Sequence, residues 1–96
     1  MIVHSGGGLH LWWLYREPFE LASAADRNLA SNVAREWNLR ICAAALAAGG
    51  YSVDSTFDLA RVLRVPGTLN RKLPDNPRLV SFLEHEPKRR YDPGDL

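Results

Sequence analysis

The chain has 96 residues, of which 46% are hydrophobic and 24% charged, and its formal net charge is +1. This length allows at most one domain, and the composition is that of an ordinary soluble globular domain. No apolar run approaches the roughly 20 residues that span a bilayer, and the single cysteine, Cys42, excludes an internal disulfide and a thiolate metal cluster. We therefore expect one domain over residues 1–96, in a cytoplasmic protein with no membrane partner.

The first predicted element is a β-hairpin around three successive glycines, residues 6–8. The flanking segments IVHS and LHLWWLY are rich in β-branched and aromatic residues, as strands are. Alternation makes both faces of the second strand largely apolar, which predicts a strand in the middle of a sheet. The glycines mark either a tight turn or a place where a ligand approaches the backbone.

A histidine follows this turn at position 10. Its imidazole can meet a phosphate that the exposed glycine N–H groups also approach, with the Ser5 hydroxyl as a further donor. From the spacing alone, a plain hairpin with a hydrogen-bonded histidine is the favoured interpretation.

The clearest element is a helix between Ser23 and the Gly49–Gly50 pair. Ser23 and Asp26 have the spacing of a capping box, and the glycines supply the stop. Asn38 lies away from the apolar stripe that we expect to pack against a sheet. The stripe residues recur every three or four positions: Leu29, Val33, Trp37, Ile41, Ala44 and Ala48.

The segment after the helix mixes a possible helical turn after Asp54 with a strand-like ARVLRV, which ends at a Pro66–Gly67 turn. LPDNP is a predicted loop, and RLVSFLEHE a final short strand. The polar tail, residues 87–96, is expected to be flexible. This order of elements predicts an α+β fold in which an antiparallel sheet packs against one long helix.

Most of the cations lie in the last part of the chain. Residues 61–96 carry eight Lys and Arg against five acids, and RVLRVPGTLNRK holds four cations and no acid. Such a segment attracts phosphate, although a solvated basic face is the commoner explanation. A basic edge strand explains Arg71 and Arg78. It is less natural for Arg64, which stands among apolar residues where an arginine needs a partner.

Asp54 and Asp58 lie four residues apart beside this cationic segment. Carboxylates next to arginines more often form structural ion pairs than metal sites. Mg²⁺, however, is typically held by one or two carboxylates together with water and substrate phosphates. Both interpretations stay open from the sequence.

Taken together, SGGGLHLWW, a long helix and VDSTFDLARVLRVPGTLNRK are in an order that resembles the archaeo-eukaryotic primase superfamily. The closest likeness is to the primase–polymerase domains of phages, prophages and plasmids, over roughly residues 2–93. SGGGLHLWW is similar to the family's Ser-x-His motif, whose histidine contacts the phosphates of the incoming nucleotide. The resemblance implies this role for His10, with Ser5 beside it.

VDSTFDLARVLRVPGTLNRK is similar to the family's third motif region. There an aspartate holds the catalytic metal, and the Arg-x-x-Arg-x-Pro-Gly strand that follows lines the nucleotide site. The resemblance implies Asp54 as catalytic metal ligand, with Asp58 as the competing choice. It implies nucleotide contacts by Arg61, Arg64, Asn70 and Lys72.

The resemblance implies a partial primase–polymerase fold with an RRM-like palm, Mg or Mn as cofactor, and nucleoside triphosphate and DNA template or primer as partners. An associated helicase domain or protein is a further partner. The family's first motif, Asp-x-Asp or Asp-x-Glu, has no match before His10, and two-metal phosphoryl transfer needs several carboxylates. We therefore expect the C-terminal portion of a primase–polymerase domain from a mobile element, inactive alone.

Two alternatives stay open. One is a non-catalytic remnant that binds nucleotide or single-stranded nucleic acid through His10, Arg61, Arg64 and Lys72. The other is a decayed gene product that folds poorly.

Overall fold

The computed structural model describes residues 1–96 and is a small α+β protein with one α-helix and antiparallel sheets. The chain divides into two compact units. The sheet unit consists of Met1–Arg16 and Val62–Asp95, and the helix unit of Glu17–Arg61 with Leu96. No helix has the length and apolar character needed to cross a membrane. The elements are β1 (Ile2–His4), β2 (Leu9–Leu11), α1 (Ala24–Gly49), β3 (Leu69–Asn70), β4 (Arg78–Leu79), β5 (Ser81–Glu84) and a 3₁₀ turn at Pro93–Asp95.

Strands β1 and β2 form the predicted hairpin, and Val3 pairs with His10. Strand β5 pairs antiparallel with the other side of β1, so the strand order is β2-β1-β5. The expectation that the second strand is central is therefore wrong, because β1 is central and β2 is an edge. Accordingly Val3 is fully buried, whereas Leu9 and Leu11 are exposed. The alternation of apolar residues indicates which faces of a strand are buried. It does not indicate which strands lie beside it, because that depends on which distant segment of the chain pairs with it.

A second sheet is formed by β3 and β4, in which Asn70 lies opposite Arg78. The predicted turn before it is present. Gly67 has φ 89° and the Thr68 N–H donates to the Val65 carbonyl at 3.2 Å, which is a type II turn with proline and glycine at its centre. The predicted final strand is divided at Val80 into β4 and β5, and Val80 itself is fully buried.

The predicted strand ARVLRV is wrong, because residues 61–65 form no strand. No neighbouring strand pairs with this segment, and β propensity stabilises a strand only where side chains pack on a partner. Val62 is 90% exposed and Arg64 is exposed as well. The surroundings of Arg64 are thus solvated, and the expected need for a buried partner does not arise.

Helix α1 begins and ends as predicted. The Asp26 N–H donates to Ser23 Oγ at 3.1 Å and the Ser23 N–H to Asp26 Oδ2 at 3.0 Å, which completes the capping box, and Gly50 ends the helix with φ 71°. The apolar stripe is only partly right, since Leu29, Ala44 and Ala48 are exposed.

Asn38, expected on the polar side, is the one buried residue of α1. Its amide is buried because it finds acceptors in the segment that follows the helix. Nδ2 donates to the Asp54 carbonyl at 3.1 Å and to Thr56 Oγ1 at 3.4 Å. Residues 51–58 contain no helical turn, and a turn forms instead at Leu59–Ala60.

The C-terminal segment makes defined backbone contacts within the sheet unit. The Tyr91 N–H donates to the Leu14 carbonyl at 3.0 Å, and the Arg16 N–H donates to the Tyr91 carbonyl at 2.8 Å. These two bonds form a parallel bridge between Tyr15 and Tyr91.

Candidate functional site

The three glycines of the β1–β2 turn differ in their surroundings. Gly6 has φ 88°, and a Cβ at this position would lie 2.9 Å from the Cβ of Arg78 and 3.1 Å from that of Asn70. Gly7 and Gly8 have no neighbouring atom within 4 Å of such a Cβ. The close approach at Gly6 is therefore made by another part of the chain, and open space lies beside Gly7 and Gly8.

The β3–β4 hairpin holds this turn through side chains. Asn70 Nδ2 donates to the Ser5 carbonyl at 2.7 Å, and Arg78 Nη1 donates to the Gly6 carbonyl at 2.9 Å. Asn70 Oδ1 in turn accepts the Lys72 N–H at 3.0 Å. Asn70 and Arg78 lie opposite each other in the β3–β4 pair, so their two side chains together hold this hairpin against the β1–β2 turn.

A cleft of about 280 Å³ lies between the glycine turn and the β3–β4 hairpin. We call it the basic cleft, because two cationic side chains and no carboxylate line it. The lining residues are Gly6, Gly7, Asn70, Lys72, Leu73, Asn76 and Arg78. The ion pairs of the protein are Arg16–Asp92, Arg61–Asp58 and Arg89–Glu84, so neither cation of the cleft is neutralised by a carboxylate.

The hydroxyl of Ser5, expected to face a phosphate, is used inside the turn. Ser5 is buried, its Oγ donates to the Gly8 carbonyl at 3.1 Å, and it accepts the Gly8 N–H at 3.1 Å. The Gly6 N–H donates to His4 Nδ1 at 3.2 Å. Two of the three glycine N–H groups expected to approach a phosphate are thus already bonded within the turn.

His10 is half-buried on β2 and does not line the basic cleft. Its Nδ1 is buried and has no hydrogen-bond partner, so the favoured interpretation of a hydrogen-bonded histidine does not describe this atom. The histidine that closes the turn is His4. A buried ring nitrogen without a partner costs about 1–3 kcal/mol, and because this atom has almost no exposed surface, a ligand does not reach it in this structure.

The predicted metal ligands lie in the helix unit. Arg61 Nε and Nη2 donate to Asp58 Oδ1 at 3.0 and 2.8 Å, and Nη2 also donates to the Ser55 carbonyl at 3.1 Å. These Arg61 N–H groups hold the pKa of Asp58 below its ordinary value of 3.8. The ion-pair interpretation therefore describes Asp58 and Arg61. Asp54 is exposed, and no group of three or more His, Cys, Asp or Glu side chains lies close enough to hold a metal ion.

Of the residues proposed from the sequence for the nucleotide site, the structure brings together Ser5, Asn70 and Lys72. Arg64 is exposed in the irregular segment before the Pro66–Gly67 turn, and it is not among the cleft residues. Arg78 and Asn76 line the cleft but were not predicted there. No local signal identifies Arg78, because its position depends on a contact with Gly6, 72 residues earlier in the chain.

No family model, curated protein or solved structure matches the chain.

Proposed function

We propose that the chain contributes the nucleotide-binding residues of a DNA primase–polymerase and holds nucleotide phosphates in the basic cleft. The observation that carries this proposal is the position of Asn70 and Lys72. The resemblance implies both for the nucleotide site, and both line one cation-rich cleft beside the glycine turn that precedes His10. In the intact enzyme, a 3′-hydroxyl would attack the α-phosphate of the bound nucleotide during replication of a mobile element in the cytoplasm, together with a helicase domain or protein.

The charges of the basic cleft suit a polyphosphate. Two unit charges at 4 Å attract each other by about 1 kcal/mol in water and about 4 kcal/mol at an effective dielectric constant of 20. Lys72 and Arg78 are both exposed, so each attracts a phosphate by a value near the lower end, about 1–1.5 kcal/mol. Association itself costs free energy, so two such attractions give binding no tighter than the millimolar range, which sets the concentrations that a binding experiment needs.

The aspartates fit a metal centre poorly. Asp58 forms an ion pair with Arg61. Asp54, the other candidate ligand, forms no ion pair. Holding two metal ions requires several carboxylates. We therefore assign no catalytic step to a metal on this chain, and Mg or Mn, template and primer belong to the proposal for the intact enzyme.

A second function is a non-catalytic module that binds nucleotide or single-stranded nucleic acid. It is favoured by the fact that all residues of the basic cleft lie in the sheet unit, whereas Asp54 and Asp58 lie in the helix unit. Phosphate binding by the cleft would then require neither aspartate.

Amide NMR titrations of the full chain with a nucleoside triphosphate, with and without Mn²⁺, test both functions. We expect binding no tighter than the millimolar range, with the largest shifts around the glycine turn and β3–β4. The resemblance implies that His10→Ala weakens binding although this histidine lies outside the basic cleft, while His85→Ala, at an exposed histidine that stacks on Phe82, should not. Equal binding by His10→Ala and the wild type would rule out the phosphate role of His10. No binding of nucleotide or of a single-stranded oligonucleotide would exclude both functions.

A further inference from the structure

We infer that Lys72 and Arg78 are the phosphate-contacting pair of the basic cleft, and that the cleft takes a chain of two or three phosphate groups with the base left outside. This inference rests on the proposed function and deepens it. It assigns a phosphate contact to Arg78 in place of Arg64. From the sequence, Arg78 was explained only as a basic residue that protects an edge strand.

The guanidinium of Arg78 is oriented before any ligand binds. Its backbone is fixed in β4 opposite Asn70, and Nη1 is fixed on the Gly6 carbonyl. A guanidinium has five N–H donors, so this single bond leaves others available to an oxyanion. A planar donor group that is already held loses less freedom on binding than a free side chain does.

Lys72 supplies the second charge at the same cleft. Its backbone N–H is bonded to Asn70 Oδ1, which fixes the base of the side chain, while its ammonium belongs to none of the ion pairs of the protein. Two cationic residues beside one cleft that has no carboxylate give it a local positive charge, which attracts anions. An anion with several charges is attracted more strongly than one with a single charge.

Uncharged residues line the same space. The cleft includes Gly7, beside which a Cβ would meet nothing within 4 Å, and Asn76. The absence of a side chain at Gly7 keeps this edge of the cleft open to a ligand. Small backbone-lined concavities with nearby cations are typical of phosphate sites.

The volume of the cleft decides how much of a nucleotide it takes. Sites that bury a whole drug-sized ligand usually measure about 300–1,000 Å³ and are mostly apolar. This cleft measures about 280 Å³ and lies just below that range. The volume leaves room for the phosphate chain but not for a whole nucleotide as well, so the identity of the base should have little influence on affinity.

The experiment is a titration of the full chain with inorganic tripolyphosphate, ATP, CTP, adenosine and a single-stranded oligonucleotide, followed by amide NMR. Lys72→Met is paired with Lys88→Met, a change at the only other lysine of the sequence. Arg78→Met is paired with Arg71→Met, at an exposed arginine outside the cleft. Because Arg78→Met also removes the bond to Gly6, Gly7→Asp is a second probe, with Gly8→Asp as its control beside the cleft.

We expect tripolyphosphate, ATP and CTP to bind within a few-fold of one another and adenosine not to bind. Lys72→Met and Gly7→Asp should each raise the Kd about tenfold, equivalent to about 1.4 kcal/mol, with the dispersed spectrum retained and the controls unchanged. Unaltered affinity in Lys72→Met and Gly7→Asp, or no binding of tripolyphosphate, would overturn the inference. So would tighter binding of adenosine than of tripolyphosphate.

The outcomes separate this inference from the proposed function. If ATP binding is lost in His10→Ala but kept in Lys72→Met and Gly7→Asp, the inference is wrong, the phosphates are not held in the basic cleft, and only the nucleotide binding that the resemblance implies for His10 stands. If tripolyphosphate binding depends on Lys72 but neither nucleotides nor oligonucleotides bind, the inference holds and the nucleotide function is wrong. An oligonucleotide that displaces tripolyphosphate far better than ATP does would identify backbone phosphates as the source and overturn the assignment to a free polyphosphate chain.

Discussion

Gly6→Ala is the substitution that tests the site geometry most directly. Gly6 is the point at which the β1–β2 turn contacts the β3–β4 hairpin, and its φ of 88° is unfavourable for any residue with a Cβ. The added methyl group would also lie 2.9 Å from the Cβ of Arg78 and 3.1 Å from that of Asn70. Neither neighbour can rotate away, because a Cβ is fixed by the backbone.

The expected cost has two parts. A left-handed backbone costs a residue with a Cβ about 1–2 kcal/mol, and forcing a methyl group into a packed contact costs about 1–3 kcal/mol. The smaller entropy of the unfolded chain returns about 0.4–1 kcal/mol. The net loss is therefore about 1–4.5 kcal/mol, a substantial fraction of the 5–15 kcal/mol typical of a domain. In the sheet unit, where only Val3 and Val80 are fully buried hydrophobic residues, such a loss has severe consequences.

Urea unfolding followed by tryptophan fluorescence measures this loss, since Trp12 and Trp13 lie in the sheet unit. With a denaturant slope of about 2 kcal/mol per molar, the midpoint should fall by roughly 0.5–2 M. Gly7→Ala is the matched control, because Gly7 has neither a positive φ nor a close neighbour. It is expected to change stability by at most about 0.5–1 kcal/mol. Equal midpoints for the two variants would refute the close contact at Gly6.

Three further predictions concern the helix unit. Ser23→Ala removes the cap of α1 and should cost about 1 kcal/mol, seen as a lower thermal midpoint by circular dichroism; an unchanged midpoint contradicts the capping box. Asn38→Ala removes both hydrogen bonds that Nδ2 donates and should cost about 1–2 kcal/mol in urea unfolding, whereas exposed Asn32→Ala should be neutral or stabilising; equal effects would exclude the tether to residues 54–56. Carboxyl NMR should place the pKa of Asp58 below 3.8, and Arg61→Met should return it towards 3.8; an unmoved pKa contradicts the ion pair.

The pH dependence of that ion pair has a definite sign. The folded pKa of Asp58 is the lowered one, so the pair stabilises the folded state above the unfolded pKa of 3.8. This contribution is lost as the pH falls through the lower, folded pKa. Both side chains are well exposed to solvent, at 40% for Arg61 and 56% for Asp58, so the effect on unfolding should be small and reduced by salt.

The features predicted correctly from the sequence are those that depend on a few neighbouring residues. The Ser23–Asp26 capping box, the Gly50 stop, the Pro66–Gly67 turn and the β1–β2 hairpin are each encoded within four to ten positions. Local sterics and short-range hydrogen bonds are enough to determine them.

The features that the sequence did not predict depend on distant partners. Strand β2 became an edge because β5 pairs with β1, and Asn38 became buried because the carbonyl of Asp54 lies within reach of its amide. Arg78 belongs to the basic cleft through Gly6, across most of the chain. No periodicity or propensity reports such contacts, since the same residues would show the same pattern with other partners.

The contact between Gly6 and Arg78 also has a consequence for the order of folding. The sheet unit is built from two segments of the chain, and residues 17–61, which separate them, form the helix unit. Long-range contacts form slowly because the loop-closure entropy must be overcome before any contact offsets it. Helix α1 needs only local bonds and should form first, while β1, the glycine turn and the β3–β4 hairpin assemble late. The basic cleft forms only when these segments come together. Phosphate binding would therefore stabilise the product of the last folding step, and it would be detected only once the sheet unit is fully assembled.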